Sequence, residues 1–149
     1  MNIVNILMNE FAVDEACDVL STDGLGPCIG IAVAYNGRFS LLHDPGPSMS
    51  TTADEFLEAL ESTVPRDKRA PIRPVVAGGK VSHGSKVAVM KERAWVLKEL
   101  RRLGFGPPME HWCPESADSQ DLKLDAHANA ISVTTSGGPA ESCIHIAIE

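Results

Sequence analysis

Residues 28–43, CIGIAVAYNGRFSLLH, decide the fold because they predict a complete β-hairpin. The apolar run from Cys28 to Tyr35 has the length of a buried strand, and the Asn36-Gly37 pair that follows favours the positive φ angles of a tight turn. The chain then returns as a second strand, from Arg38 to His43. Because the two strands would run antiparallel, we expect Cys28 and His43 to lie at the same end of the hairpin.

The rest of the chain predicts two helices and several short strands. Thr52 as N-cap with Glu55 three residues later indicates a first helix, and a longer one is expected from about Ser85 to Leu103, stopped by Gly104. Residues 21–26 are expected to form a turn. Strands are expected within 72–79, 109–113, 122–135 (where alternation around 126–129 suggests a second hairpin) and 143–149. This order predicts an α+β, layered α/β sandwich with mixed sheets and two flanking helices, as one domain over residues 1–149.

Composition narrows the class of protein. The 149 residues are 44% hydrophobic and 22% charged, which is typical of a soluble folded protein. A formal charge of −7 argues against a nucleic-acid partner, since such binding depends on cationic side chains. No apolar run approaches the ~20 residues that span a bilayer, so we expect no membrane insertion. We expect a cytoplasmic protein without a cofactor, secretion as an effector remaining an alternative.

The cysteines and histidines give no metal signature. No C-x-x-C pair occurs among the four cysteines, which we expect to be separate thiols, with Cys17 and Cys143 as small buried hydrophobes. The close pair His111 and Cys113 is weak evidence for a metal site. We therefore expect no metal site and ordinary surface or rim positions for the histidines outside the hairpin, which are His83, His111, His127 and His145. The charges of the second helix, Glu92 among them, are expected on a solvated face.

Two glycine-rich stretches resemble phosphate-binding loops only superficially. Gly24 and Gly26 are followed by Pro27 and a β-like run instead of a helix, and Gly78-Gly79 before Lys80 lacks the P-loop spacing. Turns that need glycine conformations are the simpler interpretation.

Cys28 has two possible roles. On the residues alone, a buried structural cysteine is the simpler one. The predicted hairpin, however, brings His43 towards it, and a thiol nucleophile needs a base within hydrogen-bond reach. Such a base also needs a third group to fix its tautomer, for which Thr22 is the candidate.

The stretch NEFAVDEACDVLSTDGLGPC, residues 9–28, resembles the start of the chemoreceptor glutamine deamidase family, CheD. Members of that family carry G-E-Y/F-A-V, a variable segment and then T-L-G-L-G-S-C. Thr22, Gly24, Leu25, Gly26 and Cys28 fall on the second motif. Looser similarity continues through VVAGG and the second helix.

The resemblance implies a fold related to the catalytic domain of cytotoxic necrotizing factor toxins and a cysteine-dependent protein glutamine deamidase. It implies Cys28 as nucleophile, His43 as base and Thr22 as the third member of a triad, with the turn at Gly24, Gly26 and Pro27 beside the oxyanion site. The expected partner is a protein with an exposed glutamine, such as a chemoreceptor, and a signalling protein of the CheC type is a second candidate partner.

This sequence departs from the family pattern at Pro27, which replaces a serine and removes one backbone N–H beside the nucleophile. An oxyanion hole must then use others, such as that of Cys28. The segment after Cys113 also differs. Two alternatives therefore stay open: a non-catalytic CheD-like binding or signalling module, and an effector that deamidates another protein. Methylesterase and transglutaminase chemistry could use the same residues.

Overall fold

The computed structural model describes residues 1–46, 52–82 and 84–148. In that part of the chain the strands and helices follow in the order β1 (Ile3–Asn5), β2 (Glu10–Glu15), β3 (Val19–Leu25), β4 (Ile29–Tyr35), β5 (Arg38–Asp44), α1 (Thr52–Thr63), β6 (Val75–Gly78), α2 (Lys86–Arg102), β7 (Met109–Trp112), β8 (Ser119–Asp125), β9 (Ala130–Ser136) and β10 (Ser142–Ala147). A short 3-10 turn, Arg66–Lys68, follows α1.

The strands form two five-stranded sheets. The hairpin sheet has the order β2-β5-β4-β6-β7, and the outer sheet has the order β1-β3-β8-β9-β10. Each contains one parallel pair, β6 with β7 and β1 with β3, among antiparallel ones. Two mixed sheets with two helices confirm the α+β layered fold class.

The hairpin sheet is buried on both faces, which explains the continuous apolar run in β4. On one face, Ile29, Ile31 and Val33 pack against α1 and α2. On the other, Ala32 and Leu41 pack against β3, β8 and β9 of the outer sheet. The layers are thus helices, hairpin sheet and outer sheet, with one apolar core on each side of the hairpin sheet.

The predicted hairpin of β4 and β5 is confirmed. Tyr35 pairs with Arg38 across the turn, and Asn36 and Gly37 both adopt positive φ, 53° and 73°. Ile29 pairs with Asp44 at the other end of the ladder. The return strand therefore runs one residue beyond the predicted end at His43.

The turn expected at residues 21–26 is wrong over most of its length. Val19–Leu25 is strand β3, which pairs with β1 on one side and β8 on the other. The glycine that suggested a turn sits at an irregularity instead: the register with β8 shifts between Thr22 and Leu25, and Gly24 has φ 72°. A bulge of this kind bends a strand without ending it.

The two helices agree closely with their predicted positions. Thr52 is the first residue of α1 rather than a cap outside it, and its hydroxyl lies 2.7 Å from Asn9 Oδ1. α2 begins at Lys86 and ends at Arg102, followed by Gly104 with φ 91°. The predicted N-cap of α1, Thr52, is therefore off by about one residue, which is the usual uncertainty of a helix end.

Gly78 and Gly79 hold the backbone beside Cys28, which explains why glycine is needed at the end of β6. Gly78 has φ 76°, and a Cβ placed there would overlap the carbonyl oxygen of Cys28. The Gly79 N–H donates to that same oxygen at 2.8 Å, and the Lys80 N–H donates to Gly26 O at 2.8 Å. Both glycines adopt the positive φ that this interpretation requires, but Gly78 is the last residue of strand β6 and not part of a turn.

Gly78→Ala should lower the free energy of unfolding by about 3 kcal/mol or more, because it combines a strained φ with a backbone overlap. Urea unfolding measures the change. Gly104→Ala is the matched control, since Gly104 has a similar φ with no atom within 4 Å of the added Cβ. We expect this control to lose only about 1 kcal/mol. Equal losses in the two variants would contradict a specific contact with Cys28.

Candidate active site

A hydrogen bond between Thr22 and His43 joins the two sheets. Thr22 lies on β3 of the outer sheet and His43 on β5 of the hairpin sheet, and Thr22 Oγ1 is 2.7 Å from His43 Nδ1. Thr22 is 0% exposed and His43 3% exposed. Both side chains point into the layer between the sheets, where the imidazole is shielded from water.

The partners of Thr22 determine the tautomer of His43. The Thr22 hydroxyl donates its proton to the carbonyl of Ile6 at 2.9 Å. It must therefore accept from His43, so Nδ1 carries the proton and Nε2 keeps a lone pair. Nε2 is buried and has no hydrogen-bond partner among the described residues. A neutral imidazole with a free Nε2 is the form of histidine that accepts a proton.

Cys28 lies on the same side of the hairpin as His43. Gly30 pairs directly with His43, so Cys28, two residues earlier, is its diagonal neighbour at a Cα separation of about 7–8 Å. The Cys28 side chain belongs to the core between the sheets and is 7% exposed. Its thiol donates to the carbonyl of Pro45 at 3.8 Å.

Both groups are held in their neutral forms. Burial raises the pKa of the Cys28 thiol, the charge of Asp44 raises it further, and its own backbone N–H opposes this by lowering it. Burial also lowers the pKa of His43, although the charge of Asp23 acts in the opposite direction. The resting pair is therefore a thiol and a neutral imidazole rather than a thiolate and an imidazolium.

The turn before Cys28 has few free backbone donors. The Gly24 N–H donates to Asp121 Oδ1 at 3.1 Å, and the Gly26 N–H donates to Gly24 O at 3.0 Å. Pro27 has no N–H. Within the described residues, the Cys28 N–H makes no backbone hydrogen bond. It is therefore the donor in this turn that is available to a developing oxyanion.

The backbone around Cys28 is supported by groups that sequence reasoning did not identify. Gln120, 2% exposed, accepts from the Gly78 N–H at 2.7 Å and contacts Thr135 Oγ1 at 3.1 Å. Arg93 donates to Gly79 O and stacks over the ring of Trp112 at 4.9 Å. The motif VVAGG was the available signal, but these partners come from distant parts of the chain.

Asp44 is a buried carboxyl on the opposite side of β5, facing the helices. It is 1% exposed, and its Oδ2 has no hydrogen-bond partner among the described residues. Burial, a hydrogen bond with Glu92 and the charges of Glu92 and Asp54 raise the pKa of Asp44 to about 8, while the Gly46 backbone lowers it. Asp44 is therefore protonated at neutral pH. Glu92 is half-buried against it, so its assignment to a solvated face was wrong.

The remaining thiols and histidines lie elsewhere. All four cysteines are free, as expected. Cys143 is exposed on β10, which contradicts its expected burial: β10 is an edge strand, and this side chain points away from the core. His127 contacts Asp18 at 3.1 Å, and His145 contacts Ser132 at 2.9 Å. His83 lies outside the described residues.

Two searches of the described residues bear on other kinds of site. Within residues 1–46, 52–82 and 84–148, no cluster of three or more histidine, cysteine or acidic side chains could hold a metal ion. No helix in that part of the chain is long and apolar enough to cross a membrane. A cavity does occur around Asn36, Gly37 and Asn129, at the end of the β4–β5 hairpin remote from Cys28.

Comparison with known proteins adds no assignment. No family model matches this chain, and no curated protein is significantly similar to it.

Thr22→Val should lower the free energy of unfolding by about 1–3 kcal/mol, because it leaves the Ile6 carbonyl and the His43 Nδ1–H without a partner in a dry site. Urea unfolding measures the loss. Thr22→Ser keeps the hydroxyl and is the matched control, with a smaller loss. A valine variant as stable as the serine variant would contradict the bridging role of the hydroxyl.

Asp44→Asn should stabilise the protein increasingly from pH 5 to pH 8. The pKa of Asp44 is raised on folding, so its stabilising contribution is complete below the ordinary pKa of 3.8 and is lost as pH rises through about 8. Asparagine does not ionise, so its advantage over the wild type should grow by about 4 kcal/mol across this range. Thermal or urea unfolding at each pH measures this difference.

Glu58→Gln is the matched control for this series, since Glu58 is an exposed acid on α1 that is not among the charges acting on Asp44. Its difference from the wild type should change little with pH. A flat difference for Asp44→Asn would mean that Asp44 ionises normally.

Proposed function

We propose that the protein is a cysteine-dependent protein glutamine deamidase, which converts a glutamine side chain into glutamate and releases ammonia. The observation that carries the proposal is the buried Nε2 of His43, which has no hydrogen-bond partner among the described residues and lies on the same face of the β4–β5 hairpin as Cys28. Support also comes from the resemblance of residues 9–28 to the CheD family, whose triad corresponds to Cys28, His43 and Thr22.

In the first step, Cys28 Sγ attacks the carbonyl carbon of the glutamine side chain. His43 Nε2 takes the thiol proton as the S–C bond forms. The tetrahedral intermediate carries its negative charge on oxygen, to which the Cys28 N–H donates. The C–N bond then breaks, and His43 returns the proton to the departing ammonia.

In the second step, water hydrolyses the thioester. His43 Nε2 removes a proton from the water, whose oxygen attacks the same carbonyl carbon. The C–S bond breaks, the sulfur regains its proton, and glutamate is released. Thr22 is a positioning residue here, because it keeps Nδ1 protonated and Nε2 basic through both steps.

The neutral resting pair sets the pH behaviour of this reaction. Because burial holds the pKa of His43 below its usual value, the base stays unprotonated in mildly acidic solution. Because the pKa of Cys28 is raised, the thiol depends on His43 for proton removal at neutral pH. Activity should therefore persist below pH 6.5.

The burial of Cys28 restricts the substrate. Because Cys28 is 7% exposed, only a narrow substrate group can reach its thiol, and that group must extend away from the backbone of the substrate. The two methylenes of a glutamine side chain provide this reach, which asparagine lacks. The proposed partner is thus a cytoplasmic protein with an exposed glutamine, such as a chemoreceptor, and an effector target is the alternative.

Iodoacetamide should alkylate Cys28 at neutral pH by a reaction that depends on His43. His43→Ala should slow this alkylation by about tenfold or more, because it removes the proton acceptor. Peptide mass spectrometry follows each thiol separately. His127→Ala is the matched control, since His127 lies on the surface against Asp18, and it should leave the rate unchanged.

Deamidation is measured directly as ammonia release from glutamine-bearing proteins and peptides. We expect release with the wild type, none with Cys28→Ser and a large loss with Thr22→Val. Parallel assays with a glutamyl methyl ester and with an added primary amine distinguish esterase and transglutaminase chemistry. An alkylation rate of Cys28 that does not depend on His43, without ammonia release, would indicate a binding module instead.

A further inference from the structure

A second thiol and imidazole lie side by side on the outer face of the outer sheet. Cys143 and His145 are two residues apart on β10, so their side chains point to the same face, and Cys143 Sγ is 3.7 Å from His145 Nε2. Both side chains are exposed. This pair is independent of Cys28, which lies in the core between the sheets.

The neighbouring strand β9 orients this pair. Ser132 pairs with His145 and Thr134 pairs with Cys143 in the antiparallel ladder. Ser132 Oγ is 2.9 Å from His145 Nδ1, and Ser132 is 4% exposed, so its hydroxyl is held in place. Thr134 Oγ1 is 3.4 Å from Cys143 Sγ.

These contacts form one hydrogen-bonded chain. When Nε2 accepts from the thiol, Nδ1 carries the proton and donates it to Ser132 Oγ. The Thr134 hydroxyl can donate to the sulfur, which stabilises negative charge there. On the next strand, β8, Asp121 pairs with Thr134 and Lys123 pairs with Ser132. One negative and one positive charge therefore flank the hydrogen-bonded chain.

We propose that Cys143 is a reactive thiol that exchanges with low-molecular-weight disulfides, with His145 as its base and Ser132 as the residue that positions His145. Cys143 lies on the solvent-facing side of the edge strand β10, where a small disulfide can reach its sulfur. Thiol–disulfide exchange needs access and a proton acceptor.

The reaction balances without a further reagent. Cys143 Sγ attacks one sulfur of the disulfide R–S–S–R while His145 Nε2 takes the thiol proton. The new Sγ–S bond forms, the R–S–S–R bond breaks, and the leaving R–S⁻ takes the proton from His145. The small disulfide is the oxidant, and the product is a mixed disulfide on Cys143.

Oxidised glutathione is the probe, used on the full-length protein at pH 7 with acid quenching and peptide mass spectrometry of all four cysteines. We expect Cys143 to take up the glutathionyl group about tenfold faster than Cys17. Cys17 is partly buried, and its pKa is raised by burial and further by the charges of Glu15 and Asp18. Modification of Cys17 or Cys113 as fast as that of Cys143 would overturn the proposal. A disulfide-linked dimer through Cys143 in place of the mixed disulfide would also overturn it.

His145→Asn should slow the exchange at Cys143 by at least about fivefold. This effect is modest, because general bases in enzymes contribute about 10²- to 10⁴-fold. At about pH 10, where free thiols ionise without a base, the variant and the wild type should converge. His127→Asn is the matched control and should react like the wild type. An unchanged rate in His145→Asn would overturn the proposal.

Ser132→Ala should slow the exchange less than His145→Asn, and Ser132→Thr should restore it, with urea unfolding showing that each variant is folded. Cys143→Ser should abolish the fast adduct and leave the alkylation of Cys28 by iodoacetamide unchanged. The Cys143 variant therefore distinguishes the disulfide exchange at Cys143 from the proposed deamidase activity, which depends on Cys28.

Discussion

The hydrogen bond between Thr22 and His43 is the contact on which the proposed site depends. It is a direct polar link between two sheets that meet largely through apolar side chains, and the bond from the Gly78 N–H to Gln120 is another. A buried hydrogen bond of this kind stabilises the fold by about 1 kcal/mol net, but its loss leaves two buried groups without partners and costs more. The same bond also fixes the tautomer of His43. The stability of the sandwich and the basicity of Nε2 therefore depend on one hydroxyl group.

The electrostatics around this bond favour uncharged forms. Burial acts in the same sense on Cys28, His43 and Asp44, because it raises the pKa of the two acids and lowers that of the base. An ionised Asp44 would further oppose the ionisation of Cys28. Its pairing with Glu92, which favours the protonated form, thus removes a negative charge from the neighbourhood of the thiol at neutral pH. The site is accordingly suited to proton transfer during the reaction instead of a preformed ion pair.

The hairpin could be predicted from sequence because its signals are local. The apolar run, the Asn36-Gly37 turn and the returning strand lie within residues 28–44, and the observed register follows from the turn. From this hairpin alone, His43 could be expected near Cys28. Thr22 could be named as a third group, but its distance from the imidazole depends on two sheets stacking, which no short segment determines.

The errors arose where long-range pairing overrides local preference. Gly24 and Gly26 suggested a turn, yet Val19–Leu25 is a strand that includes Gly24, because β1 and β8 pair with it from both sides. Apolar neighbours in the sequence suggested a buried Cys143, but β10 is an edge strand, which leaves that side chain in solvent. Glu92 looked like one more surface charge, because its neighbour Asp44 comes from a distant part of the chain.

The central claim is that His43 is a neutral imidazole with its proton on Nδ1 and a free Nε2. Nitrogen-15 NMR of the histidine side chains at pH 7 tests it most directly, with His43→Ala used to assign the signals. The account predicts a protonated Nδ1 and an unprotonated Nε2 for His43. A proton on Nε2, or an imidazolium at pH 7, would contradict it.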